Sequence, residues 1–132
     1  MRIIKFAVIT FLSFTFYSFI HNEENCGLQV IDSYTQEVMG KNVGFFVKFK
    51  NVSKKNIDAF KYKVQFLDGF NEEKGVKEFS WQAGNIIDKL EPGETLKDGS
   101  TNWIKGANKI KIVIIRVHFT DDSVCPSSAD MN

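Results

Sequence analysis

The sequence contains few of the residues that carry most protein chemistry. It has 132 residues with only two cysteines, two histidines and two prolines, and its formal net charge is +1. A charge this close to zero gives no whole-protein case for nucleic-acid binding. We identify no catalytic residue, no metal ligand set and no cofactor-binding motif, and we therefore expect a protein that is not an enzyme.

The sequence also lacks any sustained helical periodicity after residue 20. Apolar residues recur instead at every second position, in short segments separated by turns rich in Gly, Asn and Asp. This pattern predicts an all-β fold, namely an antiparallel β-sandwich of six or seven strands after an N-terminal signal segment. We assign residues 22–132 to that single domain.

The first 21 residues differ in composition from all that follow. Arg2 and Lys5 precede an apolar run from Phe6 to Ile20, which is the pattern of a secretory signal peptide. The run is shorter than the ~20 residues of a spanning helix, but no small-residue triplet marks a cleavage site. An uncleaved N-terminal anchor is therefore the alternative, and no other transmembrane segment is expected. Both alternatives predict a secreted, periplasmic or envelope location.

Cys26 and Cys125 lie at the two ends of the predicted domain. In an oxidising compartment an even number of cysteines favours a disulfide. A bridge that closes a loop of ~100 residues contributes roughly 4–5 kcal/mol in the chain-entropy model. An even number of alternating strands would bring the chain ends together, whereas an odd number would separate them. The two cysteines are therefore a disulfide candidate whose pairing the strand count leaves open.

The clearest strand signals flank a turn at residues 51–56. Apolar and polar residues alternate on both sides of this turn, which predicts a β-hairpin with Phe49 opposite Tyr62 and Phe45 opposite Phe66. In the following strand, alternation breaks near Ala59 and suggests a β-bulge.

The predicted hairpin places four lysines on one outer face, here named the lysine stripe: Lys48, Lys50, Lys61 and Lys63. Like charges directly opposite each other are unfavourable, and Glu78 on the next strand is the expected partner of Lys63. The remaining positive charge makes the stripe a candidate binding surface for an extracytoplasmic protein or another anionic surface. A plain solvated face is the alternative.

The strongest strand signal is the segment 109–120. The alternation places Ile112 and Ile114 on one face, and it places four residues together on the other: Val113, Ile115, Val117 and Phe119. Apolar residues on both faces over half its length are typical of a central strand. His118 lies on this strand with no nucleophile placed near it, and we interpret it as a structural histidine. Cys125 has a better use as a disulfide partner than as a nucleophile.

Four features occur in an order that resembles the FxLYD-type exported immunoglobulin-like domains of bacteria. They are an Asn51-x-Ser53 turn, a strand ending at residues 64–68, a Leu90-x-Pro92-Gly93-Glu94 turn and a last strand ending at residues 117–121. The resemblance covers about residues 28–122. Asp68 matches the family motif, whereas Val64, Phe66 and Leu67 depart from it. The resemblance implies the fold and export from the cytoplasm, but no particular activity.

We therefore expect a secreted or envelope-associated, non-enzymatic binding or accessory module whose ligand the sequence does not identify. The alternative is a loop-presenting protein such as a protease inhibitor, in which the turns at residues 51–56 and 91–94 insert into a target. The triplet Asn51-Val52-Ser53 also matches an N-glycosylation acceptor, which applies only in a eukaryotic host.

Overall fold

A computed structural model describes residues 24–84 and 88–126, so the predicted signal segment lies outside the described residues. The described residues form β-strands and contain no helix, and hence no helix of membrane-spanning length and hydropathy. The strands are β1 (Glu24–Asn25), β2 (Leu28–Val38), β3 (Lys41–Asn51), β4 (Ile57–Leu67), β5 (Glu73–Gln82), β6 (Thr95–Ser100), β7 (Lys109–Phe119) and β8 (Val124–Cys125).

The strands form two antiparallel sheets that pack face to face. Sheet A has the order β1-β2-β3-β6, and sheet B has the order β5-β4-β7-β8. With β2, β3 and β6 as strands A, B and E, and β5, β4, β7 and β8 as C′, C, F and G, this is an immunoglobulin-like arrangement. Six strands have six or more residues, and β1 and β8 have two each, which confirms the predicted fold class.

The predicted hairpin is wrong, because β3 and β4 lie in different sheets. The chain crosses between the sheets over residues 51–56, so that β3 pairs with β2 and β6 while β4 pairs with β5 and β7. Alternation identifies the buried face of a strand but not its hydrogen-bonding neighbour. The predicted apolar partners therefore meet across the core instead: the rings of Phe49 and Tyr62 lie 5.0 Å apart, and those of Phe45 and Phe66 lie 6.3 Å apart.

The hydrophobic core lies between the inner faces of the two sheets. Large aromatic rings dominate it, in edge-to-face or tilted contacts that aromatic pairs favour. The side chains below 2% exposure are Leu28, Phe45, Val47, Phe49, Asn51, Ile57, Tyr62, Val64, Phe66, Leu90 and Val117. Leu90 joins this set through an isolated bridge to Ile57.

Two bulges interrupt the pairing of β4 with β7. One lies between Ile57 and Ala59, where the broken alternation predicts it. The other inserts Ile115 between Ile114 and Arg116, since Lys61 pairs with Arg116 but Tyr62 pairs with Ile114. An extra residue reverses the phase of a period-2 pattern.

The bulge at Ile115 divides the face that alternation predicts for β7. Val117 and Phe119 are buried, but N-terminal to the bulge the buried residues are Ile112 and Ile114. Val113 and Ile115 are only partly buried. The prediction that these two share a face with Val117 and Phe119 is therefore wrong, because it assumed an unbroken strand.

The structure contains the disulfide between Cys26 and Cys125, with a Cα–Cα distance of 5.5 Å and a sequence separation of 99. Cys26 lies in the turn between β1 and β2, and Cys125 lies in β8. The bond therefore links sheet A to sheet B. Beside it, the Asn25 side-chain amide donates a hydrogen bond to the carbonyl of Ile114 at 3.0 Å.

Candidate binding face

The four residues of the lysine stripe do not form a single surface. Lys48 and Lys50 lie on β3 and project from the outer face of sheet A, whereas Lys61 and Lys63 lie on β4 and project from the outer face of sheet B. Packed sheets are about 10 Å apart at the backbone, and these side chains extend in opposite directions. The prediction of one shared face is wrong for the same reason as the predicted hairpin.

On the outer face of sheet A, acidic and aromatic side chains are neighbours of the lysines. Lys48 lies between Asp32 on β2 and Lys97 on β6. The Lys97 ammonium lies 4.5 Å from the centroid of the Phe46 ring and 5.3 Å from that of Tyr34. Such cation–π contacts stabilise a cation in place.

The outer face of sheet B is a regular grid of side chains. Across β5, β4 and β7 its rows are Gln82–Ala59–His118, Ser80–Lys61–Arg116, Glu78–Lys63–Val113 and Val76–Gln65–Lys111. We name this grid the basic face, because its permanent charges are the cations of Lys61, Lys63, Lys111 and Arg116 and the single carboxylate of Glu78. Glu78 lies opposite Lys63, as predicted.

A depression of about 80 Å³ opens in the basic face. Ala59 lies at the centre of its row, and its short side chain leaves space between longer neighbours. The lining residues are Ala59, Phe60, Lys61, Ser80, Trp81, Gln82, Arg116 and His118. The one signal of this feature in the sequence is the broken alternation at Ala59, which we interpreted as a bulge and not as a site.

Carboxylates contact both ring nitrogens of His118. Nδ1 lies 2.5 Å from an Asp58 oxygen, and Nε2 lies 3.6 Å from an Asp122 oxygen. The hydrogen bond to Asp58 raises the pKa of His118 above its ordinary value, with further contributions from nearby acidic charges. Ser80 lines the same depression but lies two strands away, about 10 Å between backbones. The arrangement orients the imidazole toward acids and not toward a hydroxyl.

A second polar cluster lies beyond the end of β7. The Lys55 ammonium is 3.0 Å from Asp121 and 3.1 Å from the hydroxyl of Ser123, which itself donates to Asp121 at 2.5 Å. These hydrogen bonds, first among them that from the Ser123 hydroxyl, lower the pKa of Asp121. The Lys55 ammonium is protonated in this ion pair, so it has no lone pair with which to accept a proton from Ser123 and does not act as a base toward it. The cluster therefore ties the loop before β4 to the loop after β7.

Asn51 joins the two turns that we predicted as possible binding loops. It is fully buried, and its amide donates to the carbonyls of Lys55 and Leu90, both at 2.8 Å. Its side-chain oxygen accepts from the backbone and hydroxyl of Ser53, and its main chain bonds to Gly93 and Glu94. Because the amide nitrogen is buried and donates twice, the folded protein does not expose it as a glycosylation acceptor.

The sequence matches no protein-family model and no curated protein. A hypothetical protein from Peptoclostridium difficile 630 has a similar structure, with a TM-score of 0.58, 14% identity, and coverage of 83% of this chain and 91% of that chain. A DUF1425 family member from Shewanella sp. pv-4 has a TM-score of 0.48 and 16% identity, covering 71% and 85% of the two chains. The first similarity supports the β-sandwich fold alone. Neither confirms the resemblance to FxLYD-type domains, which stays a prediction.

Proposed function

We propose that this protein is a non-enzymatic binding module that acts outside the cytoplasm and recognises an acidic protein surface through the basic face. The disulfide supports the location, because structural disulfides persist in oxidising compartments. The predicted signal segment at residues 1–21 points to the same location. An exported module of the FxLYD type would have the same fold and setting.

The observation that carries the proposal is the charge of the basic face. Its rows contain four permanent cations and one carboxylate on three adjacent strands. Same-face neighbours are about 5 Å apart across strands and about 7 Å apart along a strand, so their fields overlap within the Debye length at physiological salt. Such a surface attracts an acidic partner and accelerates association.

The uncharged and acidic members of the grid favour a protein as the partner. Gln65, Ser80 and Gln82 offer both donors and acceptors, and Glu78 adds a negative charge on the edge strand β5. A uniformly anionic polymer or membrane would be repelled by Glu78. A protein surface can instead place a basic or hydrogen-bonding group opposite it.

Charge reversal on one sheet at a time tests the proposal. The probe is a fluorescein-labelled peptide rich in Asp and Glu, with the corresponding Asn and Gln peptide as the neutral reference. We expect the double variant K61E/K63E to abolish binding of the acidic peptide. The double variant K48E/K50E changes the net charge equally on the opposite sheet and should retain most binding. Fluorescence anisotropy at low and high salt provides the measurement, with affinity falling steeply as salt increases.

Equal losses in the two double variants would show that net charge matters and not the basic face. Full binding by K61E/K63E would also overturn the proposal. Circular dichroism of each variant checks that the sandwich is retained.

A loop-presenting inhibitor is a second candidate, because Asn51 holds the turns at residues 51–56 and 91–94 together at one end of the domain. Preorganised loops lose less conformational entropy on binding. Under this alternative, the protein would inhibit a member of a panel of extracellular proteases, and a G93A variant would weaken inhibition because Gly93 has a φ of 85°. Absence of inhibition across the panel would contradict it.

A further inference from the structure

We propose that the depression around Ala59 is a seat for a single carboxylate carried on an aliphatic stem, as in a Glu or Asp side chain of the partner. The inference rests on the proposed function and specifies where one acidic side chain binds. Ala59 marks this position in the grid, because it is the only residue in the lining whose side chain is a single methyl group.

The position of Ala59 in the grid accounts for the shape. In its own row, Gln82 and His118 lie on either side, and the next row along the strands contains Ser80, Lys61 and Arg116. Each of these neighbours has a longer side chain than alanine or carries a polar atom. The result is a recess of about 80 Å³ surrounded by polar side chains.

The surrounding groups are donors to an anion. Lys61 and Arg116 lie opposite each other on adjacent strands and provide two permanent positive charges. A guanidinium presents a planar fork that matches a carboxylate, and an ammonium adds a point charge beside it. The amide of Gln82 and the hydroxyl of Ser80 are further donors. Asp58 and Asp122 both contact His118, which lines the recess.

Both acids are paired with the imidazole, whose positive charge offsets part of theirs. Asp58 contacts Nδ1, and this contact raises the pKa of His118, so a larger fraction of the imidazole is protonated near neutral pH. Asp121 and Lys55 are paired with each other close by and contribute little net charge.

The remaining walls favour a carboxylate on a stem over a free tetrahedral anion. Phe60 and Trp81 also border the recess, but their rings pack 5.4 Å apart on the inner side of the sheet and do not form its floor. The Ala59 methyl and the aliphatic stem of Lys61 give the recess a carbon-rich floor. Methylene groups bury favourably against such a floor, whereas a phosphate or sulfate is hydrated on all sides.

Filling the recess without changing any charge tests the seat. The probe is N-acetylglutamate amide, with N-acetylglutamine amide and inorganic phosphate as comparisons, followed by NMR shifts of the Ala59, Lys61, Arg116 and His118 amides. We expect the glutamate compound to shift these signals and A59L to weaken its binding about tenfold, since leucine occupies the recess. The control Q65L adds a leucine on the same strand and the same face outside the recess, and should bind within about twofold of the wild type.

A second pair of variants applies if A59L does not fold. Lys61→Met removes the charge but keeps the stem, and should weaken binding of N-acetylglutamate amide, while Lys48→Met on sheet A should not. Equal binding by the glutamate and glutamine compounds, or tighter binding of phosphate, would overturn the carboxylate assignment. Unchanged binding by A59L, together with lost peptide binding by K61E/K63E, would overturn the seat and leave the basic face intact.

Discussion

At the scale of single residues, one buried amide holds an end of the domain together. Asn51 satisfies the carbonyls of Lys55 and Leu90 and the amide of Ser53. The sequence identifies it only as a turn former, because burial and distant partners are set by the crossing between the sheets.

We predict that Asn51→Ala destabilises the protein by roughly 2–4 kcal/mol, since it leaves several buried polar groups without partners. Urea unfolding measures the change. The control Asn102→Ala replaces an exposed asparagine and should change the stability by less than about 0.5 kcal/mol. A loss for Asn51→Ala as small as that of the control would contradict the role of the buried amide.

Tyr62 connects the two sheets through a polar bond at the edge of the core. Its ring is fully buried, and its hydroxyl donates to Asp98 on β6 at 2.7 Å. Burial first, and then the interaction with Asp98, strongly raise the pKa of Tyr62. The folded state therefore retains the phenol proton where the unfolded chain would lose it.

This raised pKa predicts an alkaline loss of stability. The contribution of Tyr62 is fully present below its unfolded pKa of about 10. It declines as the pH rises further, because unfolding then releases a proton. Tyr62→Phe should cost about 1 kcal/mol near neutral pH through the lost hydrogen bond, and should flatten the decline above pH ~10. Urea unfolding as a function of pH measures both effects, and an identical slope in the variant would contradict the assignment.

At the scale of secondary-structure elements, the bulge at Ile115 decides which side of β7 faces the core. Alternation predicted that Val113 shares a face with Val117, whereas the structure buries Ile112 together with Val117. Without the extra residue, the outward positions of Arg116 and His118 would not align with those of Lys61 and Ala59. The bulge therefore assembles the basic face as well as the core.

We predict that Ile112→Ala costs about 2–4 kcal/mol, because it leaves a cavity in the core. Val113→Ala, one residue along and on the outer face, should cost less than about 1.5 kcal/mol. Thermal or urea unfolding of the two variants compares them directly. A larger loss of stability for Val113→Ala than for Ile112→Ala would contradict the bulge and would support the unbroken strand that alternation alone indicates.

At the scale of the whole molecule, the disulfide ties the first turn of sheet A to the last strand of sheet B. Its sequence separation of 99 means that the closed loop includes nearly the whole domain. Replacing both cysteines by serine should lower the free energy of unfolding by roughly 4–5 kcal/mol in the chain-entropy model. Unfolding with and without reductant measures the same contribution in the natural protein. A loss below about 1 kcal/mol would show that the bridge adds little to stability.

The strand positions, the turn at residues 91–94 and the fold class follow from the sequence because each depends on neighbours close in the chain. Gly93, for example, has the positive φ that a type II turn requires. Lys63 and Glu78 were also predicted correctly as a pair, since a short turn joins their strands. The prediction of a single lysine stripe was wrong because its two halves lie on β3 and β4, which belong to different sheets and do not pair.

The sequence by itself therefore determined which faces of β3 and β4 are buried and where the chain turns, because side-chain alternation and turn chemistry are local properties. It also placed both cysteines at the domain ends. Only the tertiary structure decided that β3 and β4 stack across the core, that Ile115 shifts the phase of β7, and that Lys61 meets Arg116. These depend on strand pairing over long sequence separations, which the period-2 pattern leaves open because every apolar face is a suitable partner for every other.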